Sequence, residues 1–182
     1  MLDFLNARTD IRRKAGEIYG VIVAQARQPA LYAALGVPDT PGGRYEMLVA
    51  HLFLVIERLR AQEEAESPLP RLLVEGFIAD MDDSLREMGT GDLTVPKKVR
   101  RAATGLYERG LVYKAGLAAA DNTALADALG EHVYAGVPDS HAPALAAYLR
   151  SAAGALAARG ARQVAEGDFS FPPVLTGATE AS

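Results

Sequence analysis

Residues 80–101 read DMDDSLREMGTGDLTVPKKVRR and predict the end of one helix, a tight turn and the start of the next. Gly89 suits a helix C-terminus, because glycine enters the left-handed conformation without a side-chain clash. Thr94 is placed to cap the following helix through its hydroxyl, and Pro96 falls in the first turn, where a missing N–H is tolerated. Acidic residues precede the turn and basic residues follow it, so we predict a corner with opposite charges on its two arms.

Outside this corner, apolar residues recur at helical spacing along most of the chain, and alternating strand patterns are nearly absent. We therefore predict an all-α fold, a single domain of about seven helices in an orthogonal or irregular bundle over residues 1–166. Residues 167–182 lose this periodicity and include two adjacent prolines. They are predicted to form an irregular tail, extended or disordered, whose Phe169, Phe171 and Val174 dock on the body or on a partner, with the body favoured.

Composition sets limits on the function. The chain has 182 residues, of which 49% are hydrophobic, and a formal net charge of -4 at pH 7. A chain of this length buries roughly two thirds of its unfolded surface and should fold alone. The negative charge argues against a general nucleic-acid binder, and we expect no specific DNA binding. No apolar run reaches the roughly 18 to 20 residues of a membrane span, and the N-terminus lacks a targeting pattern, so we expect a cytoplasmic protein.

Motifs of common catalytic chemistry are missing from the sequence. It contains no nucleophile elbow, no dinucleotide-binding glycine pattern and no phosphate loop. The absence of cysteine excludes disulfides, thiol chemistry and cysteine-ligated metals. His51 lacks the neighbouring histidine or paired carboxylates that a metal ligand would need. We therefore expect no enzyme activity, no cofactor and no metal.

A line of polar residues runs along an otherwise apolar predicted helix. Arg44, His51 and Arg58 fall seven residues apart, and on the following helix Asp80 falls within the apolar arc. Because burying an unpaired charge is unfavourable, we predict that His51 or Arg58 pairs with Asp80 or its neighbour Glu87. The network either fixes how two helices cross or forms a polar patch inside a binding groove.

Two clusters of basic residues stand out, and each has two interpretations. They are solvated helix faces, or they attach the protein to anionic lipid headgroups or ribosomal RNA through salt-sensitive contacts. The clusters consist of Lys97, Lys98, Arg100 and Arg101, and of Arg12, Arg13 and Lys14.

Several segments resemble the ubiquinol-cytochrome c chaperone family, whose members are assembly factors of the respiratory cytochrome bc1 complex. The combination LREMGTGDLTVPKKV at residues 85–99 is the most specific of them. The resemblance spans roughly residues 10–115, and the matching segments are Tyr19 to Arg27, Pro29 to Tyr32, Gly36 to Thr40, Gly43 to Glu46, His51, Arg58 to Leu59 and Asp80 to Lys98.

The resemblance implies an α-helical, non-enzymatic chaperone of the bacterial type that binds newly made cytochrome b or other bc1 subunits. Peripheral contact with the cytoplasmic face of the inner membrane, or with the ribosome, is also expected. An apolar groove with a polar rim would suit so apolar a client. The residues predicted to bind the client or a partner are Tyr45, Asp80, Arg86, Met88, Asp92, Lys97, Lys98, Arg101 and Tyr107.

Two other functions are compatible with the sequence. A helical carrier or enzyme with an apolar pocket for a quinone or lipid would show a closed, elongated cavity, whereas a chaperone would show an open apolar surface. A structural subunit would remain in the mature complex in stoichiometric amounts.

Overall fold

The computed structural model describes residues 2–61, 67–137 and 140–174, with side chains from Thr9 onward. Within these ranges the chain forms helices and no strands, which confirms the all-α prediction. The helices are α1 (Leu2–Ala26), α2 (Pro29–Ala33), α3 (Pro41–Arg60), α4 (Leu69–Glu87), α5 (Val95–Ala118), α6 (Thr123–Tyr134), α7 (Ala142–Ala158) and α8 (Ala161–Ala165). The seven predicted helices correspond to α1 to α7, and the short α8 is additional. Across the described part, no helix has both the length and the apolar character to cross a membrane.

Helix α3 lies at the centre of the bundle. It packs against α1, α4, α5, α6, α7 and α8, and every residue from 46 to 56 is buried. A helix that is apolar on all sides is expected at such a position, because each face meets another apolar surface. The surrounding helices contribute one stripe each, such as Ile18 and Ile22 from α1 and Leu73 and Phe77 from α4.

The corner between α4 and α5 forms where the sequence predicts it. Gly89 has a φ of 76°, and its N–H donates to the carbonyl oxygen of Arg86 at 2.9 Å, just after α4 ends. The predicted cap by Thr94 is wrong, because its backbone is already helical and its side chain makes no capping hydrogen bond. The N–H of Thr94 donates instead to the carbonyl oxygen of Gly91 at 2.8 Å. A backbone turn therefore leads the chain into α5.

The segment after α8 folds back onto the bundle. Phe169 is buried, and Phe171 and Val174 are partly buried against the core. The ring of Phe171 meets the imidazole of His51 edge-on, with 5.1 Å between the ring centroids. The predicted docking on the body is confirmed for these three residues. The rest of the predicted tail, 175–182, lies outside the described residues, and the domain boundary at residue 166 stays a prediction.

Candidate functional site

A groove of about 390 Å³ opens between α1, α3, α4 and α5, and we call it the main groove. Its apolar lining consists of Val23, Ala26, Pro41, Leu48, Met81, Leu85, Met88 and Ala102. Its charged residues, of both signs, are Arg27, Arg44, Asp80, Glu87 and Lys98. All of these charged residues except Asp80 are exposed. The groove therefore joins an apolar surface to a charged rim.

Four of the nine residues predicted to bind a client or partner line the main groove. They are Tyr45, Asp80, Met88 and Lys98. Two residues that were assigned to the structural network, Arg44 and Glu87, line it as well. The structure thus brings together residues from α3, α4 and α5 that are far apart in the sequence.

The other five predicted residues lie outside the main groove. Arg86 and Asp92 form an exposed ion pair at 2.6 Å on the corner, and Lys97 is exposed on α5. Arg101 lines a neighbouring recess between α3 and α5. Tyr107 lines a second groove among α3, α4 and α5. A role for these residues in binding stays a prediction.

The predicted pairing of His51 or Arg58 with Asp80 or Glu87 is wrong. Arg58 donates from Nε and Nη2 to the carbonyl oxygen of Arg159, at 3.0 and 2.6 Å. Arg159 follows the last residue of α7, and carbonyl groups at a helix end have no partner within the helix. The guanidinium of Arg58 therefore satisfies the end of α7, and within the described residues it forms no ion pair with Asp80 or Glu87.

Asp80 and Arg44 also have partners that the sequence pattern did not identify. Asp80 accepts a hydrogen bond from the hydroxyl of Tyr19 on α1 at 2.9 Å, and Arg44 donates to Asp39 in the preceding loop at 2.7 Å. Burial, reinforced by the charge of Asp80, raises the pKa of Tyr19, so the phenol stays protonated. The inward position of Asp80 was predicted, but its partner was not. Helices α1 and α3 both pack against α4, and the sequence did not show which of them provides the partner of Asp80.

His51 is fully buried and belongs to a chain of hydrogen bonds between α1, α3 and α7. Its Nδ1 lies 2.7 Å from the carbonyl oxygen of Met47, and its Nε2 lies 2.8 Å from the hydroxyl of Tyr148. Because a carbonyl only accepts, Nδ1 carries the proton and Nε2 accepts from Tyr148. The hydroxyl of Tyr148 accepts in turn from the amide of Gln25 at 2.8 Å. Burial lowers the pKa of His51 to about 4, so the ring is neutral at pH 7.

A buried ion pair next to the main groove was not predicted from the sequence. Arg109 on α5 donates two hydrogen bonds of 2.7 Å to the carboxylate of Glu46 on α3. The side chains are only 19% and 9% exposed. The signal that could have indicated this pair is the carboxylate of Glu46 at the start of the buried run of α3, since a buried carboxylate requires a cation or several donors.

Tyr45 links this ion pair to the main groove. Its hydroxyl donates to the carbonyl oxygen of Ala102 at 2.9 Å, and the guanidinium of Arg109 lies 5.7 Å from the ring centroid. Burial raises the pKa of Tyr45 to about 12, so the phenol remains a donor. Gly105 on α5 leaves room for this hydroxyl, because a Cβ at that position would collide with it. Tyr45 is therefore a fixed wall of the groove.

The chemistry that this arrangement supports is binding. The hydroxyl of Tyr45 and the carboxylate of Glu46, beside the main groove, are both engaged in hydrogen bonds inside the protein. Among the residues whose positions are described, no three His, Asp or Glu side chains come together as a metal site would require.

Comparisons with known proteins agree with this architecture. The family described as ubiquinol-cytochrome C chaperone matches residues 33–171. The chain belongs to this family. A crystal structure of the Cbp3 homolog from Brucella abortus superimposes with a TM-score of 0.85 at 37% sequence identity, covering 95% of this chain and 97% of that chain. No curated protein matches the chain.

Membership in the ubiquinol-cytochrome C chaperone family confirms the resemblance seen in the sequence. The family match continues to residue 171, beyond the roughly 10–115 over which the sequence resembles the family, and it includes α3 to α8. Three of the four helices around the main groove therefore lie within the family match. Helix α1, which contributes Val23 and Ala26 to the groove, precedes the family match, as does Arg27 just after α1.

Proposed function

We propose that this protein is a non-enzymatic assembly chaperone of the cytochrome bc1 complex that binds newly made cytochrome b in the main groove. It would do so in the cytoplasm, at the face of the inner membrane. Family membership supports the assembly role. The observation that carries the choice of site is the apolar lining of the groove next to charges of both signs.

The main groove matches the kind of surface that a membrane protein exposes before it is inserted. Its apolar segments need a cover, and the charged residues that flank them need partners in a polar rim. Met81 and Met88 suit this task, because methionine adapts its shape to different apolar surfaces. A volume of about 390 Å³ takes a few side chains. We therefore expect the groove to hold an anchor of the client and to leave most of a transmembrane segment outside.

A carrier or enzyme acting on a quinone or lipid would require an enclosed cavity with polar groups facing its interior. The main groove is partly open to solvent. The buried ion pair beside it is bonded internally, since both carboxylate oxygens of Glu46 accept from Arg109. Both features favour a protein-binding groove over a pocket for a small ligand.

Placing a charge in the main groove is expected to impair binding of cytochrome b. Met88→Asp puts a carboxylate at a position that is 58% exposed, so the protein should fold while its affinity for an apolar segment falls roughly tenfold or more. Ser84→Trp, which fills the groove with an indole, should act in the same direction. Each variant is expressed in a strain that lacks the native gene, and cytochrome b is measured both in the membranes and bound to the tagged chaperone.

Val137→Asp is the matched control, because Val137 is 60% exposed and lies in the connection between α6 and α7. It should retain cytochrome b at the level of the unmodified protein. Equal co-purification of cytochrome b with Met88→Asp, Ser84→Trp and the control would refute the proposed groove.

A further inference from the structure

The turn between α4 and α5 holds an apolar side chain in solvent. Leu93 is 99% exposed. A single exposed leucine is common on protein surfaces, but exposed large hydrophobic residues concentrate in this region. Of the eight that occur in the described ranges, five lie between residues 88 and 112. Leu93 is the most exposed of the eight, and it precedes the first lysine of α5 by four residues.

Four cations follow Leu93 on the first two turns of α5, namely Lys97, Lys98, Arg100 and Arg101. At 100° per residue they cover an arc of roughly 160°, opposite the large buried side chains of the helix, Val95, Leu106 and Tyr113. Within the described part of the chain none of them forms an ion pair, and the one hydrogen bond is from Lys98 to the hydroxyl of Thr90 at 3.4 Å. Their charge is therefore available to an external anion.

The acidic residues nearby leave this charge largely uncompensated. Asp82 and Asp92 are each bound by Arg86 at 2.6 Å, and Glu87 lines the main groove. Glu108 lies on the same side of α5, about two turns beyond the last of the four cations. Charge on the first turns of α5 is thus positive, although the whole chain carries a net charge of -4.

We propose that Leu93, together with Lys97, Lys98, Arg100 and Arg101, forms a docking face for bilayers that contain anionic lipids. The cations attract lipid phosphates, and the leucine enters the boundary between headgroups and acyl chains. Each contact alone is weak, but their combination holds a protein at a membrane surface. The same cations would attract ribosomal RNA through its phosphates. RNA phosphates make no use of an exposed leucine, so Leu93 favours a bilayer as the partner.

The docking face adjoins the main groove, since Lys98 belongs to both. A protein docked through this face would hold the groove close to the bilayer, where a membrane protein is inserted. The inference goes beyond the proposed function and does not depend on the identity of the client, because vesicle binding is measured with the purified protein alone.

The test is sedimentation of the full chain with vesicles of phosphatidylcholine, either pure or with about one third phosphatidylglycerol. Binding should require the anionic lipid and weaken as salt is added. Lys97→Gln with Lys98→Gln should lower the partition coefficient about 25-fold, because each lysine near the surface contributes about fivefold. Leu93→Ser should lower it about tenfold.

The controls remove similar side chains elsewhere on the surface. Arg12→Gln with Lys14→Gln on α1 matches the loss of two charges, and Val137→Ser matches the loss of an exposed apolar side chain. Both should bind vesicles as the unmodified protein does, and unchanged thermal unfolding of all variants excludes a loss of fold.

Equal binding to both kinds of vesicle would overturn the inference, and so would an equal loss of binding in the controls. A third outcome would assign the cations to RNA: Leu93→Ser binds vesicles as the unmodified protein does, and the protein binds ribosomal RNA through Lys97 and Lys98. If vesicle binding is absent while cytochrome b still co-purifies from detergent, the docking face fails, and the proposed binding of cytochrome b in the main groove stands.

Discussion

Replacing Arg109 with methionine is expected to lower the free energy of unfolding by about 3 to 5 kcal/mol. The substitution leaves the carboxylate of Glu46 buried, with a side chain only 9% exposed and without its cation. A buried charge that loses its partner keeps its full desolvation penalty and loses the attraction that offset it. Because Arg109 also lies over the ring of Tyr45, we expect the wall of the main groove to loosen.

Urea denaturation measures this change through the midpoint and the slope of the transition. Arg71→Met is the control, because Arg71 forms an exposed pair with Glu75 and should lose at most about 1 kcal/mol. The double variant Glu46→Leu with Arg109→Met should recover most of the loss, since an apolar pair of similar size needs no partner. If Arg109→Met unfolds at the same urea concentration as Arg71→Met, the ion pair does not have the assigned importance.

Lowering the pH from 6.5 to about 4 is expected to reduce the free energy of unfolding by roughly 3 kcal/mol through His51 alone. Burial lowers the pKa of His51 from 6.5 to about 4. Above pH 6.5 the ring is neutral in both states, and the full stability is present. Between pH 6.5 and about 4 the unfolded chain binds a proton that the folded protein excludes, so stability falls by up to about 1.4 kcal/mol per pH unit. Below pH 4 both states are protonated, and this contribution stops changing.

The measurement is the free energy of unfolding at several pH values, compared between the unmodified protein and His51→Gln. Contributions of other titrating groups are shared by the two proteins, so the difference between the curves isolates His51. The surface substitution His141→Gln should retain the fall, because His51 is intact in it. A parallel course of the His51→Gln and unmodified curves from pH 7 to 4 would contradict the assigned neutral, buried imidazole.

The helices and the charged corner were predictable because their signals are local. The apolar period of each helix and the left-handed preference of Gly89 depend on a few neighbouring residues, and both predictions agree with the structure. Thr94 shows the limit of local reasoning. Its residue type suits a cap, but the preceding turn gives it a helical backbone from which its hydroxyl makes no capping hydrogen bond.

Side-chain partners were not predictable, because they depend on which helices become neighbours. His51 was expected to meet α4, yet it faces α7 and bonds to Tyr148, 97 residues away in the sequence. Glu46 and Arg109 are 63 residues apart, and neither has a sequence neighbour that indicates the other. Periodicity predicted that these helices are buried but did not predict which faces meet.

The candidate site was predicted in part for the same reason. Lys97 and Lys98 are adjacent in the sequence, but they are 100° apart around α5, and only Lys98 lines the main groove. Tyr45 was assigned as a binding residue, and its ring does line the groove while its hydroxyl is held by Ala102. The sequence motif thus indicated the region of the main groove, and helix geometry divides its residues between that groove and the proposed docking face.

The most direct test of the central claim is a crosslink between the main groove and cytochrome b in living cells. A photoreactive amino acid is introduced at Met88 or Leu85 in the groove, or at Val137 on the connection between α6 and α7, and the cells are irradiated during synthesis of cytochrome b. We predict a crosslink to newly made cytochrome b from both groove positions and none from Val137. Crosslinks from Val137 alone, or none from the groove while the bc1 complex still assembles, would contradict the account.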